Sequence, residues 1–113
     1  MDKETMRLGG RSVRVEVNWN ALSAFLVAVG RDTLEGLSNI SSLKPSEIAA
    51  LVAAAVNEGE RLEGRESSLT ALDVGAQLRP EDVGEFLQIY IRQSRPAREV
   101  EEPSAKKKTE TDT

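Results

Sequence analysis

Residues 13 to 30 read VRVEVNWNALSAFLVAVG, and within this stretch a strand pattern changes to a helix pattern. Apolar and polar side chains alternate from Val13 to Val17, which is typical of a β-strand with one buried face. From Leu22 onward the apolar residues recur three and four positions apart, as in an amphipathic helix. Gly30 follows, at the position where a left-handed glycine commonly ends a helix. The stretch therefore predicts a strand that leads directly into a helix.

The residues before this stretch extend the strand into a β-hairpin, which we predict over residues 3–17. Gly9-Gly10 can adopt the positive φ angles of a two-residue type I′ turn. That turn sets the register and places Lys3 opposite Glu16, a favourable pair of opposite charges. Glu4 falls on the apolar face, so we expect the first strand to fray there. The other residues of that face are Met6, Leu8, Val13, Val15 and Val17.

Helical patterns follow the hairpin, and Asn18 or Asn20 is the expected N-cap of the first helix. The predicted helices span about residues 20–29, 33–37, 45–58, 71–77 and 81–93. The polar stretch Glu58–Ser67 predicts an exposed loop, and the last helix shows an apolar stripe that includes Tyr90 and Ile91. The fold class is α+β, with an N-terminal two-stranded antiparallel β-hairpin packed on a small bundle of four to five helices. The expected core contains Val13, Val15, Val17, Leu22, Phe25, Leu26, Val29, Ile48, Leu51, Val52, Val83, Phe86 and Leu87.

The 113 residues allow a single domain, and the composition divides the chain at its C-terminal end. We expect residues 1–93 to form the folded domain and residues 94–113 to form a disordered charged tail. Within residues 96–113, Val100 is the one apolar side chain larger than alanine besides two prolines, and nine residues are charged. Such a segment cannot bury enough apolar surface to offset the entropy of ordering.

The composition also excludes several kinds of site. The chain has no cysteine and no histidine, so it lacks disulfides, the most common general base and the most common transition-metal ligands. Its net charge of −4 argues against nonspecific nucleic-acid binding. No run of apolar residues is close to the length of about 20 residues that a membrane-spanning helix needs. The N-terminus does not resemble a signal peptide. We expect a cytosolic protein that has no cofactor, is not an enzyme and binds neither nucleic acid nor membranes.

Two groups of carboxylates are the remaining candidates for chemistry. Glu81-Asp82 stands at a helix start, where acidic residues are ordinarily found. Glu58, Glu60 and Glu63 lie in the predicted loop. A metal-dependent enzyme built on Glu81-Asp82 is the most distant alternative, because acid–base or metal chemistry needs a cleft and a perturbed pKa. The expected role of Glu81-Asp82 is that of acids at a helix N-terminus, and the other group is expected to be part of a solvated loop.

The first helix is apolar on a second side, through Ala24, Val27 and Ala28. A helix that is apolar on most sides is either buried on most sides or covered by a partner. Trp19 and Tyr90 are rigid aromatic residues of the kind that anchor interfaces, although Trp19 is equally suited to covering the core. The candidate partner-binding residues are Trp19, Ala24, Val27, Ala28 and Tyr90. In the helix that begins at Pro45, alanines form a smooth side that would allow close approach of another helix.

These short motifs together resemble the phage tail assembly chaperones encoded just before the tape measure protein, including those of gene-transfer agents. The pattern is a hairpin with a Gly-Gly turn, a strand running into N-x-A-L, a helix closed by glycine, and L-x-P-x-[ED]-[IV]-A-A-L. The residues that carry it are Leu8-Gly9-Gly10, Val13–Val17, Asn20-Ala21-Leu22, Gly30, Leu34–Leu37, Leu43–Leu51 and Leu69–Val74. The chain departs from the family in its first helix, where SAFLVAV stands in place of the usual acids.

The resemblance implies a non-catalytic chaperone in the host cytoplasm that is absent from the mature virion. Such a protein binds the tape measure protein, keeps it soluble and helps recruit tail tube subunits; homo-oligomerisation stays open. The resemblance also implies a longer frameshifted form, and an A-rich slippery run encoding Lys106–Lys108 is the hypothesised site. The alternative from another class is a small cytosolic regulatory adaptor unrelated to phage.

Overall fold

A computed structural model describes residues 3–34, 37 and 40–94. Within these residues the fold is α+β, as predicted: an N-terminal antiparallel hairpin is followed by four helices. None of these helices is long and apolar enough to cross a membrane. Of the predicted helix over 33–37, the structure describes Thr33, Leu34 and Leu37: Thr33 and Leu34 form a bend and not a helix, and the amide of Leu37 donates to the carbonyl of Leu34 at 2.9 Å. The predicted tail lies outside the described residues except for Ser94, which belongs to the last helix. The elements are β1 (Glu4–Leu8), β2 (Arg11–Val15), α1 (Trp19–Val29), a 3-10 turn (Ile40–Ser42), α2 (Pro45–Leu62), α3 (Ala71–Gly75) and α4 (Pro80–Ser94).

The hairpin has the predicted turn and register. Gly9 and Gly10 both have positive φ, at 62° and 86°, and Met6 pairs with Val13 across the two strands. The apolar inward-facing side chains of both strands are buried. Strand β2 stops at Val15, two residues earlier than predicted. The amide of Glu16 instead donates to the carbonyl of Ala55 at 3.1 Å, so the chain leaves its partner strand and contacts α2.

Two predictions about charged residues of the hairpin are wrong. Lys3 does not pair with Glu16, because its Nζ lies 2.8 Å from the carboxylate of Glu63. Glu4 does not fray but pairs with Val15 in the ladder. Its carboxylate accepts hydrogen bonds from the Arg92 guanidinium at 2.6 and 3.1 Å. Helix α4 thus supplies the cation that allows an acidic residue on the apolar face.

Helix α1 is capped at both ends as its sequence indicates. The Asn18 side-chain oxygen accepts a hydrogen bond from the amide of Ala21 at 3.0 Å, which settles the choice between the two asparagines. Gly30 ends the helix in the left-handed conformation, with φ of 72°. Phe25 is fully buried, and its neighbours on the same stripe are partly buried against the core.

Helix α2 is longer than predicted, and the expected loop from Glu58 is wrong over its first five residues. Glu58, Gly59 and Glu60 are helical and buried. Gly59 lets β2 pass against the helix, because a Cβ at this position would lie 2.3 Å from the carbonyl oxygen of Arg14. Tertiary contacts therefore keep residues in the helix that local polarity assigns to a loop.

The predicted core residues all lie inside or against one hydrophobic core, except Val83, which is half-buried outside that cluster. The residues that are fully buried are Val13, Val15, Val17, Phe25, Leu51, Val52 and Phe86. Those that pack partly buried against them are Leu22, Leu26, Val29, Ile48 and Leu87. In α4 the inner position belongs to Ile89 and not to Ile91, which is exposed. Gln93, expected to face water, instead bonds to the backbone of Val15 and Val17.

Candidate partner-binding surface

The outer side of α1 is an exposed and uncharged surface. Ala24, Val27 and Ala28 are all exposed, and 83% of the surface of Val27 is accessible to solvent. No charged residue occurs between Glu16 and Arg31. The opposite stripe of the helix faces the core, so this side has no covering element among the described residues. Isolated apolar residues on a surface are ordinary, but a continuous patch marks an interaction site.

The two aromatic candidates have opposite environments. Trp19 is 69% exposed at the start of α1, so it does not cover the core and is available to a partner. Tyr90 is 8% exposed, and its ring lies 6.4 Å from the ring of Phe86, centroid to centroid. Its hydroxyl donates to the carbonyl of Leu37 at 3.1 Å. The prediction that Tyr90 anchors a partner is therefore wrong, because the periodicity of α4 turns this residue inward.

An open groove of about 730 Å³ lies over α2, between α1 and residues 69–72. Ala24 and Ala28 form its α1 wall, while Leu69 and Leu72 border the opposite side. Leu72 is 84% exposed and was not predicted from the sequence to join this surface. The sequence offers one signal for Leu72, which is its position two residues before Val74 in the short α3. Val74 faces inward, and residues two apart on a helix point in nearly opposite directions. The floor is formed by alanines of α2, namely Ala50, Ala53 and Ala54.

Polar contacts hold the α1 wall in place at both of its ends. At the C-terminal end, the Arg31 guanidinium donates to the Glu47 carboxylate of α2, with a closest distance of 2.9 Å. These hydrogen bonds lower the pKa of Glu47. At the N-terminal end, Glu58 of α2 accepts hydrogen bonds from the Asn18 and Asn20 amides at 2.8 and 3.2 Å.

Glu58 is the central residue of the second contact. It is 6% exposed, and burial alone would raise its pKa. Hydrogen bonds from Arg61, at 2.7 and 2.9 Å, and from the two asparagines outweigh that effect and lower the pKa of Glu58 to about 2. The carboxylate is therefore ionised at neutral pH. Its role is to join α1 to α2, which contradicts its predicted place in a solvated loop.

The opposite wall is fixed by Asn57 of α2. Its side-chain amide donates to the carbonyl of Leu69, and its oxygen accepts from the amide of the same residue, both at 2.9 Å. These two bonds mimic a strand pair and hold the segment that leads into α3. Thr70 and Asp73 then cap α3 reciprocally. Both walls are thus attached to α2, so the groove exists before any partner binds.

Charge is nearly absent from the groove. Its charged lining residues are Lys44 and Glu47, which lie near the start of α2. Glu47 is paired with Arg31, whereas Lys44 makes no ion pair with any residue that the structure describes. One end of the groove therefore carries a cation that forms no salt bridge with a described residue, although its charge contributes to lowering the pKa of Glu47. The remaining walls are apolar or neutral.

The Glu58, Glu60 and Glu63 group does not form the predicted solvated loop but joins separate segments of the chain, whereas Glu81 is exposed at the start of α4. Glu60 pairs with Arg65 at 2.6 Å, and Glu63 pairs with Lys3 and Arg14. Asp82 accepts a hydrogen bond from the backbone amide of Arg79 at 3.0 Å, at the start of α4. Among residues 3–34, 37 and 40–94, no three carboxylates are grouped so that they would hold a metal ion.

The chain matches no protein-family model, and no curated protein or solved structure is significantly similar to it. The geometry of the exposed groove and its rims is therefore the main basis for a functional assignment.

Proposed function

We propose that this protein is a phage or prophage tail assembly chaperone that binds the tape measure protein. The observation that carries the proposal is the exposed, uncharged surface formed by the groove, Val27 and Leu72. The sequence resemblance to the chaperone family supports it independently. A surface of this kind binds the apolar face of a helix, as helix-in-groove recognition generally does.

The mechanism is that of a holdase in the host cytoplasm. Tape measure proteins are long and helical, and their apolar faces aggregate when they are unassembled. Covering those faces segment by segment keeps the client soluble until the tail tube subunits polymerise around it. The net charge of −4 keeps the coated complex soluble through mutual repulsion. The chaperone performs no chemistry, needs no cofactor and leaves before the virion is complete.

A preformed groove suits this task. Because Glu47, Glu58 and Asn57 already fix the two walls, binding does not require the walls to become ordered. That lowers the entropic cost of association. An alanine floor also accepts many different apolar side chains, as a chaperone for a long client requires. These properties favour broad and reversible binding.

Co-expression with the candidate tape measure protein tests the proposal. We expect the wild-type chain to raise the soluble fraction of the tape measure protein and to co-purify with it. Val27→Glu should abolish both effects, because it places a carboxylate on the exposed apolar side of α1. Gln88→Glu is the matched control, since it also adds one carboxylate but lies on the exposed side of α4, away from α1 and from the residues that line the groove.

Failure of the wild-type chain to improve solubility would contradict the proposal, as would equal behaviour of the two variants. If the tape measure protein is not bound and no tape measure gene lies next to this gene, the regulatory adaptor becomes the better assignment.

A further inference from the structure

We propose that the groove binds a single amphipathic helix of about three turns, with bulky aliphatic side chains facing the alanine floor and a carboxylate at the end beside Lys44. The inference rests on the proposed function for the identity of the client. It adds the chemistry and the size of the segment that is bound.

The length of the occupant follows from the part of α2 that lines the groove. The lining residues there run from Lys44, at the N-cap of α2, to Asn57, so at about 1.5 Å per residue the groove is about 20 Å long. A helix lying along it makes contact over a little more than three turns. A longer segment would extend past Lys44 or Asn57, beyond the residues that line the groove.

The side chains of the occupant follow from the floor. Ala50, Ala53 and Ala54 are spaced by three and four residues on α2, so they form a continuous small-residue ridge. Methyl side chains leave the volume of the groove above them unfilled. Leucine or isoleucine side chains at the matching spacing of a second helix would fill it by ridge-into-groove packing. Alanines on the occupant would leave voids and lose the dispersion contacts that bulky side chains make.

A second copy of this chain fits the groove poorly. A strip about 20 Å long and one helix diameter, about 10 Å, in width covers far less than the roughly 800 Å² that each partner buries in a stable dimer. A symmetric dimer also needs a self-complementary patch. The groove is concave, and the exposed Leu72 stands on its rim, so two grooves facing each other would enclose empty space.

The charge of the occupant follows from Lys44. The walls are uncharged, so a charged side chain pointing into the groove would lose hydration without gaining a partner. At one end Lys44 has no ion-pair partner among the described residues, while the nearby Glu47 is paired with Arg31. A carboxylate on the occupant at this end completes an ion pair. Because this ion pair is exposed to solvent, it adds little affinity. Its main effect is to favour a negatively charged residue over a positively charged one at this end of the occupant.

The probe is a set of fluorescein-labelled helical peptides of about 14 residues, each with leucines on one face. The three peptides are identical except for their terminal residues, which are glutamate, glutamine or lysine. Fluorescence anisotropy at low salt should show about three- to tenfold tighter binding of the glutamate peptide than of the lysine peptide. Lys44→Glu should reverse that order, and the difference should shrink at high salt. Arg7→Glu, at an exposed residue of the hairpin, should change nothing.

The location is tested with variants of α1. Ala24→Glu should weaken binding of every peptide at least about tenfold, because it places a charge on the wall of the groove. Gln88→Glu, on the exposed side of α4, should bind as wild type. Equal binding by Ala24→Glu and wild type would overturn the groove as the site. Equal affinity for the glutamate and lysine peptides would overturn the assigned end charge.

Size-exclusion chromatography with light scattering tests whether a second copy of this chain occupies the groove. A dimer that Ala24→Glu dissociates would show that a second copy fills the groove, and this would overturn the inference.

The failure of this inference can be distinguished from the failure of the proposed function. If the peptides behave as expected and the tape measure protein is still not solubilised, the function fails and the groove chemistry stands. If the tape measure protein is solubilised equally by Ala24→Glu, the function stands and the groove is the wrong site.

Discussion

Gly59 lies in the C-terminal part of α2, where the helix passes directly against the backbone of β2. A Cβ at this position would lie 2.3 Å from the carbonyl oxygen and 2.7 Å from the carbonyl carbon of Arg14. Both are backbone atoms, so they cannot move away as the end of a flexible side chain can. Gly59→Ala is therefore a test of how closely the hairpin and α2 are packed.

The size of the effect can be estimated from two opposing terms. Replacing glycine by alanine inside a helix ordinarily stabilises a protein by about 0.5–1 kcal/mol. Here the added methyl group must push the strand away by about 1 Å, and overpacking of that kind costs about 1–3 kcal/mol. The same displacement strains the bond from the Glu16 amide to the Ala55 carbonyl, at a cost of about 1 kcal/mol. The net prediction is a loss of about 1–3 kcal/mol in the free energy of unfolding.

Gly84 supplies the matched control. It also lies inside a helix, α4, but a Cβ there would meet nothing within 4 Å. Gly84→Ala should therefore stabilise the protein by about 0.5–1 kcal/mol. Thermal and urea denaturation followed by circular dichroism would measure both variants. The melting temperature should fall by about 4–20 °C for Gly59→Ala and rise by a few degrees for Gly84→Ala. If Gly59→Ala is neutral or stabilising, the close approach of β2 to α2 is refuted.

Three further predictions follow from other contacts. Glu58→Gln should lower the free energy of unfolding by about 1–2 kcal/mol at neutral pH. The pKa of Glu58 in the folded protein is about 2, below the ordinary 4.5. The ionised carboxylate therefore stabilises the fold above about pH 5, and this stabilisation disappears as the pH falls. The free energy of unfolding of Glu58→Gln should accordingly decrease less on acidification than that of the wild type. Gln93→Ala should cost about 1–3 kcal/mol in urea denaturation, whereas Gln88→Ala, which is exposed on the same helix, should cost less than about 0.5 kcal/mol. Trp19, the single tryptophan, should emit like indole in water, and an emission maximum typical of a buried indole would contradict its exposure.

The hairpin and the first helix could be predicted because their signals are local. Two consecutive glycines define the turn, the turn defines the register, and the alternation of side chains defines the buried face. Asn18 and Gly30 likewise act on the backbone a few residues away. Features of this kind depend on the order of residues along the chain and need no knowledge of distant contacts.

The C-terminal part of α2 could not be predicted because its stability depends on distant residues. Glu58, Gly59 and Glu60 are polar or flexible, so the local sequence favours a loop. The helix continues through them because Asn18 and Asn20 bind Glu58 and because Arg14 packs against Gly59. The joining role of Gln93, 78 residues from Val15, was missed for the same reason.

The candidate surface was partly predictable. The apolar outer side of α1 follows from periodicity, and the structure places Ala24, Val27 and Ala28 in the open. The sequence does not indicate which of the two aromatic residues is exposed, because the exposure of Trp19 and Tyr90 depends on the elements that pack around them. The groove itself combines walls from two separate segments, so Leu72 could not be assigned to it from the sequence.

The central claim is that the client binds along α1 and the groove. The most direct measurement is an NMR titration of the isotope-labelled chain with a soluble helical fragment of the tape measure protein. The account predicts that the largest chemical-shift changes occur at Ala24, Val27 and Ala28, in the alanine floor of α2 and at Leu72. The outer face of the hairpin, including Arg7, should remain unchanged. Shift changes concentrated on the hairpin or on the exposed side of α4, with none in the groove, would contradict the account.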